Sequence, residues 1–488
     1  MQSTRSFIQT GFDEALIGCI FSELDAVSVD PLQDYLALSL TCTLFYRIVQ
    51  PFLYRRVSWR LNLNPNPEYE PKGFRNLQRI MAKPQRAALV RHFSIWKSPY
   101  GNRESLLQWL HLSEASDTAT HIARVKRFLH DADIPEDWLT RNLDFEVFGA
   151  LLLTRFTKLE ELDIYTWDFS DGDTRQLRSR RHGVFHEVLE AIITPREKRP
   201  DTVSTLDRLN TIRIHIDVCD NGHKGTSFLH EPLISFDTIS RIFYLPNVCT
   251  IQLERIWAEQ DTYWPLGIPT AKNLRILILQ ECDFNARQLQ MVLQTTRCLV
   301  EFECHILMDA NYLSEWFDME IVKKSLLPMR SSLRHLDFKL DLYTSTAIDI
   351  GNPGAWGVNG SLGSMVEFAD LSYISICWPA LLGWKVEGSA ELEKVLPSSL
   401  RTLHLTNEMD FWYGYQWDDE EAEDTHPLWH TIVSKLTRYM LSRPPSLEQI
   451  SLTFSQEYED DKAMKVHDML VSTGRSVNIK VHVNIVTR

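Results

Sequence analysis

Pro397-Ser398-Ser399-Leu400-Arg401-Thr402-Leu403-His404-Leu405 places apolar residues at 400, 403 and 405 behind a short turn-forming start. In a strand, Leu403 and Leu405 share one face while Thr402 and His404 share the other, because successive side chains alternate. The wording returns as Ser331-Ser332-Leu333-Arg334-His335-Leu336-Asp337-Phe338 and as Pro445-Ser446-Leu447-Glu448-Gln449-Ile450-Ser451-Leu452. Pro246-Asn247-Val248 and Lys272-Asn273-Leu274 open two more copies in the same way. A strand-forming phrase that keeps returning behind a turn marks one supersecondary unit used many times.

Working outward, the triple recurs as Val90/Phe93/Ile95, Leu159/Leu162/Ile164, Leu209/Ile212/Ile214, Val248/Ile251/Leu253 and Leu274/Leu277/Leu279. It continues as Leu299/Phe302/Cys304, Leu333/Leu336/Phe338, Leu371/Ile374/Ile376, Leu400/Leu403/Leu405 and Leu447/Ile450/Leu452. With 44% apolar residues, about 40 such triples arise by chance, so the flanking turns carry the argument. Helical periodicity fills the intervals, as in Leu289/Val292/Leu293 behind the candidate cap Asn285 and Trp429/Ile432/Val433/Leu436/Met440 behind Pro427. Such a unit hides its apolar strand face only against its neighbours, which predicts an α/β chain stacked as a leucine-rich-repeat solenoid, a curved parallel sheet with outer helices. From Leu159 to Leu447 the intervals run from 25 residues (Leu274 to Leu299) to 50 (Leu159 to Leu209), against about 20 to 29 in regular repeats, so the array is irregular. The competing architecture is a doubly wound α/β domain, which calls for a Gly-rich phosphate loop after its first strand, and the chain has none.

The chain has 488 residues, too many for one compact core, and a formal charge of −14. That charge repels phosphate backbones and anionic membrane surfaces, so neither nucleic acid nor membrane is expected as a partner. Cys19, Cys42, Cys219, Cys249, Cys282, Cys298, Cys304 and Cys377 are scattered singly without CxxC pairs, the pattern of reduced, buried thiols. The early apolar run Ala15 to Phe21 follows Asp13-Glu14 and is too short for a secretory signal. A location in the cytoplasm or nucleus follows as an expectation.

Residues 10–60 are expected to form a helical module, 61–75 a linker marked by Asn62-Leu63-Asn64-Pro65-Asn66-Pro67, and 76–488 the repeats. Leu16, Ile17, Ile20, Phe21 and Leu24 fall on one helix stripe, and Leu36, Leu38, Leu40, Cys42, Leu44 and Phe45 form a second. So few short helices bury too little surface to stand alone, and a packed partner is expected, either the repeats or another polypeptide.

The stretches Phe12 to Leu24, Leu36-Ala37-Leu38-Ser39-Leu40-Thr41-Cys42-Thr43-Leu44-Phe45 and Pro51-Phe52-Leu53-Tyr54-Arg55-Arg56-Val57 together resemble an F-box, in particular that of fungal F-box proteins with degenerate leucine-rich repeats. Ile20, Phe21 and Leu24 stand where that family has apolar helix residues, and Cys42 and Phe45 where it has Cys and an aromatic. The family's opening Leu-Pro is Phe12-Asp13 here, its Glu is Ala15, and the loop from Asp25 to Tyr35 is longer. The resemblance implies a non-catalytic substrate receptor of a ubiquitin ligase. Its helices would dock on a Skp-type adaptor, which joins the cullin scaffold, and its repeats would hold an unknown protein target. It implies that Leu16, Ile17, Ile20, Phe21, Leu24, Leu36, Leu40 and Phe45 divide between the module's own core and the adaptor-facing surface. The alternative is a repeat scaffold that recruits no ligase.

Target contacts are expected at outward positions between the apolar residues: Arg213, His215, Gln252, Arg275, Ile278, Glu303, Asp337 and His404. His182 and His186 have metal-ligand spacing without a third ligand nearby, and Cys304 beside His305 reads as a core position. The acidic run Asp418 to Asp424 behind Trp412, Tyr413, Tyr415 and Trp417 reads as a solvated loop, as do the basic stretch Arg175 to Arg181 and the glycine-rich Gly351 to Gly360. No catalytic series, metal site or cofactor motif stands out, so no catalysis and no cofactor are expected.

Overall fold

In the computed structural model the described residues are 31–41, 43–60, 84–96, 152–167, 189, 192–193, 206–217, 234–258, 262–309, 316–343, 357–385, 388–406, 427–442, 444–455 and 460–486. The chain divides into two compact units, Met1–Thr166 with Gly183–Asn210, and Trp167–His182 with Thr211–Arg488. The expected linker 61–75 lies outside the described residues.

In the first unit, α1 (Pro31–Ser39) and α2 (Thr43–Leu53) precede β1 (Arg56–Arg60), α3 (Pro84–Ala87), β2 (His92–Trp96) and β3 (Glu161–Trp167). Tyr35 and Val49 are buried between α1 and α2, with Leu38, Phe45, Ile48, Phe52 and Leu53 packed around them. The helical reading therefore stops at Leu53: Arg56 to Arg60 pair in parallel with His92 to Trp96.

The second unit holds β4 (Thr211–Asp217), β5 (Ile234–Ser235), α4 (Phe236–Ile239), β6 (Thr250–Glu254), β7 (Ile256–Trp257), β8 (Ile276–Cys282), α5 (Ala286–Leu293) and β9 (Glu301–Asp309). It continues with β10 (Phe317–Asp318), α6 (Met319–Leu326), β11 (His335–Tyr343), β12 (Val358–Asn359), β13 (Tyr373–Cys377), α7 (Trp378–Leu382) and α8 (Leu392–Val395). Last come β14 (Thr402–Thr406), α9 (Pro427–Leu441), β15 (Gln449–Ser455), α10 (Asp460–Val477) and β16 (Lys480–Val486). The main sheet of this unit runs β4-β6-β8-β9-β11-β13-β14-β15-β16, and every pair in it is parallel. Strand order follows chain order without a reversal, so the switch point that makes the ligand crevice of a doubly wound sheet does not arise.

All ten apolar phrases land on strands. Ile212, Ile251, Leu277, Phe302, Leu336, Ile374, Leu403, Ile450 and Val481 form one in-register row across the sheet. All but the half-buried Val481 are buried. A second row, Ile214 to Val483, runs parallel to it through Leu279, Cys304, Phe338 and Leu405. Each fully buried side chain of this kind contributes about 1.5–3 kcal/mol against exposure, which is what holds neighbouring units together.

The turns repeat at atomic level as well. The carbonyl just before each strand accepts two amides from the next unit: Arg275 and Ile276 donate to Cys249, Val300 and Glu301 to Arg275, and Arg334 and His335 to Val300. The rung recurs with Ser372 and Tyr373 on Arg334, Arg401 and Thr402 on Ser372, and Glu448 and Gln449 on Arg401. Within the first unit, Arg91 and His92 donate to Arg55 in the same way. Turn side chains reinforce the rungs, with Asn273 Nδ2 donating to the Pro246 carbonyl at 2.9 Å and Ser399 Oγ to that of Leu371 at 2.8 Å.

Helices pack beside one another, α5 on α6 and α9 on α10. The expected cap Asn285 forms a full capping box, its side chain accepting from Gln288 N while Gln288 reaches back to Asn285 N. The glycine-rich stretch read as a loop ends in a short strand, since Val358 and Asn359 pair with Phe317 and Asp318. Among the described residues no helix is long and apolar enough to cross a membrane.

Candidate interaction face of the sheet

Alternation that buries one row of each strand turns the other row outward. Arg213, Gln252, Ile278, Glu303, Asp337, Ser375, His404, Ser451 and His482 are consecutive register partners from β4 to β16. All are half-exposed except Ser375, which is buried. Among the described residues no helical layer closes over this row, whereas a doubly wound sheet is covered on both faces.

Of the expected target contacts, Arg213, Gln252, Ile278, Glu303, Asp337 and His404 all fall on this single row, and His215 stands two residues along β4, 3.6 Å from Glu254. Arg275 is a correction. It lies in the turn before β8, where its amide joins the Cys249 rung and its guanidinium donates to the Cys298 carbonyl at 3.0 Å. Ile276 and Ile278 take the outward positions, so Arg275 has the wrong parity for the face.

The chemistry concentrates on β9 and β11. Glu301 and Glu303 stand two residues apart on one face, opposite His335 and Asp337. Carboxylate oxygens of both glutamates and a ring nitrogen of His335 lie within 4.8 Å of one another, a donor set that could hold a divalent cation. His335 Nε2 is 3.6 Å from Glu303 Oε1, and its ring stacks on Tyr373 at 4.1 Å between centroids and 7° between planes. Lys339 Nζ approaches Asp337 at 3.7 Å. On β14, His404 Nε2 is 2.9 Å from Thr453 Oγ1 and its Nδ1 is 3.4 Å from Ser375 Oγ.

Partial burial raises the carboxyl of Glu303, and Glu301 and Asp337 beside it push it further, against a smaller opposing pull from Lys339. Burial lowers the imidazoles of His305, His335 and His404. That shift holds the three rings towards the uncharged form, so the charge beside Glu303 and Asp337 comes chiefly from carboxylates and Lys339. Glu301, His335, Tyr373 and Ser375 were not singled out from the sequence, although the parity of Glu303, Asp337 and His404 already places them on the same side.

The helical candidates divide. Leu36 is 43% and Leu40 86% exposed, whereas Phe45 is half-buried against the small core of α1 and α2. Leu16, Ile17, Ile20, Phe21 and Leu24 lie outside the described residues, as do His182, His186 and the run Asp418 to Asp424. Cys304 is buried in the second apolar row, as expected of a core thiol. The class defined by these observations is an α/β protein with a large parallel sheet, one row of which is polar and half-exposed among the described residues. No family model and no curated protein matches the chain.

Proposed function

We propose that the chain is the substrate-recognition subunit of a Skp–cullin–F-box type ubiquitin ligase, built from an F-box-like helical module and an irregular leucine-rich-repeat solenoid. In this reading the chain performs no chemistry of its own. It holds a target protein close to the ligase's catalytic subunit, which turns an intermolecular transfer into an effectively intramolecular one. The observation that carries the proposal is the sidedness of the sheet: nine parallel strands in chain order bury one row and present the opposite row half-exposed, apart from the buried Ser375. The F-box resemblance supplies the ligase half, and the exposure of Leu36 and Leu40 beside a packed Tyr35–Val49 core supports it. An apolar side chain 86% exposed in the turn between two short helices is what a docking surface needs.

The test is a pull-down of the full chain with purified Skp-type adaptor. The wild type is expected to retain the adaptor, and Leu36→Asp/Leu40→Asp to lose it without a drop in melting temperature, because both side chains already face water. A wild-type chain that ignores the adaptor overturns the ligase reading and leaves the repeat scaffold.

A further inference from the structure

We propose that the open sheet face centred on β9 and β11 docks an extended, lysine- or arginine-bearing segment of a partner protein. This rests on the reading of the second unit as a target-binding array and names the kind of target it takes. Among the described residues this row of the face is half-exposed apart from Ser375, and the sign of its charge selects the occupant. Glu301, Glu303 and Asp337 stand together on the two central strands, with the Lys339 ammonium 3.7 Å from Asp337. The flanking positions are neutral, Gln252 and Ile278 on one side, Ser375 and Ser451 on the other. Further along the face Glu254 stands alone on its strand, 3.6 Å from His215, whereas the carboxylates of β9 and β11 are clustered, and that cluster attracts cations.

The neighbouring histidines do not neutralise it, since burial holds His305 and His335 towards the uncharged form. A second feature favours a cationic side chain over a bare charge. The Tyr373 ring, locked by its stack on His335, sits one strand over from the carboxylates. Carboxylate and aromatic ring together suit a guanidinium or ammonium, which gains ion pairing and a cation–π contact at once. The five strands β8 to β14 span about 19 Å, a width that an extended segment of about six residues crosses. A phosphate-bearing or anionic partner would meet repulsion here.

The experiment is fluorescence anisotropy of a fluorescein-labelled peptide alternating lysine with serine, added to the full chain with a chelator present. The wild type is expected to bind it and to ignore the matching glutamate–serine peptide. Glu301→Gln/Glu303→Gln should weaken binding at least about tenfold, as expected when ion pairs to a bound cation are removed. Glu367→Gln/Asp370→Asn, an equal charge change at exposed carboxylates that pair with Arg330 and Arg334, should change it less than about twofold because rim charges away from a contact matter little. Equal losses in the two double variants mean attraction to net charge alone and overturn the proposal. So does a peptide that fails to bind in chelator while zinc binds the wild type and not Glu301→Gln/Glu303→Gln, which would make the cluster a metal site. Should the first double variant not fold, Asp337→Asn replaces it under the same criterion. Peptide binding that survives in a chain unable to hold the adaptor removes the ligase and keeps this inference. A target bound equally by wild type and Glu301→Gln/Glu303→Gln removes this inference and keeps the ligase.

Discussion

Glu303 pays for its position. Its carboxyl is forced up by burial and by Glu301 and Asp337, so at neutral pH its ionised form is a local cost. Its native pKa lies above the unfolded one, so the stability it contributes is present in acid and is lost as pH rises through the native value. Glu303→Gln removes that repulsion and is expected to stabilise the protein by up to about 0.5 kcal/mol, the scale of one charge on a half-exposed surface. A denaturant melt that moves the other way would show the carboxylate to be held by a favourable partner. The histidines act with the opposite sign. His305, His335 and His404 have native values below the unfolded value of about 6.5, so the unfolded chain takes up their protons first. Stability is therefore full above about pH 6.5 and falls as pH drops through it, levelling only below the native values. The carboxylates of Glu281, Glu301, Asp337 and Asp341 oppose this, and Lys339 reinforces it for His305 and His404. Thermal midpoints taken between about pH 7.5 and about pH 5.5 should fall for the wild type and fall less for His335→Gln/His404→Gln. Parallel curves would contradict the assignment.

At the scale of elements, each strand is held by rows that span its neighbours. Leu336 is fully buried between Phe302 and Ile374, and Leu336→Ala should cost about 2–5 kcal/mol in chemical denaturation. Asn285→Ala removes one half of a closed capping box and should cost about 1 kcal/mol. Gly474 reverses an ordinary rule. Alanine normally stabilises a helix interior relative to glycine by about 1 kcal/mol. Here a Cβ would lie 2.6 Å from the Ile479 carbonyl and 2.5 Å from Val481 Cγ2. Gly474→Ala in α10 is therefore expected to destabilise by about 1–3 kcal/mol, since the backbone of the turn into β16 must move. The ten strands carrying the apolar phrase were legible because period two and a turn signal coincide. β1 was not, because Tyr54, Val57 and Trp59 have the right spacing but follow a helix and were absorbed into the helical module. β16 was not, because Asn478 stands where the first apolar residue belongs, with φ of +63°. The paired two-residue strands β5 with β7 and β10 with β12 are too short to show any period.

For the whole molecule, sequence parity showed which side chains point outward but not which of them meet, because intervals of 25 residues and more hide the register. Repeated rungs on the residue before each strand fix that register, and they bring Glu303 opposite Asp337, and Glu301 opposite His335. The proposed division of labour is the core of the account: exposed apolar residues of the helical module, Leu36 and Leu40, for the adaptor, and the acidic sheet row for the target. Its most direct test is quantitative affinity purification of the full chain under proteasome inhibition, comparing wild type, Leu36→Asp/Leu40→Asp and Glu301→Gln/Glu303→Gln. The expected result is a clean exchange, with the helix variant losing the Skp-type adaptor and cullin while keeping its target, and the sheet variant losing the target while keeping the ligase. A wild-type chain that brings down no adaptor, or two variants that lose both partners together, would contradict it.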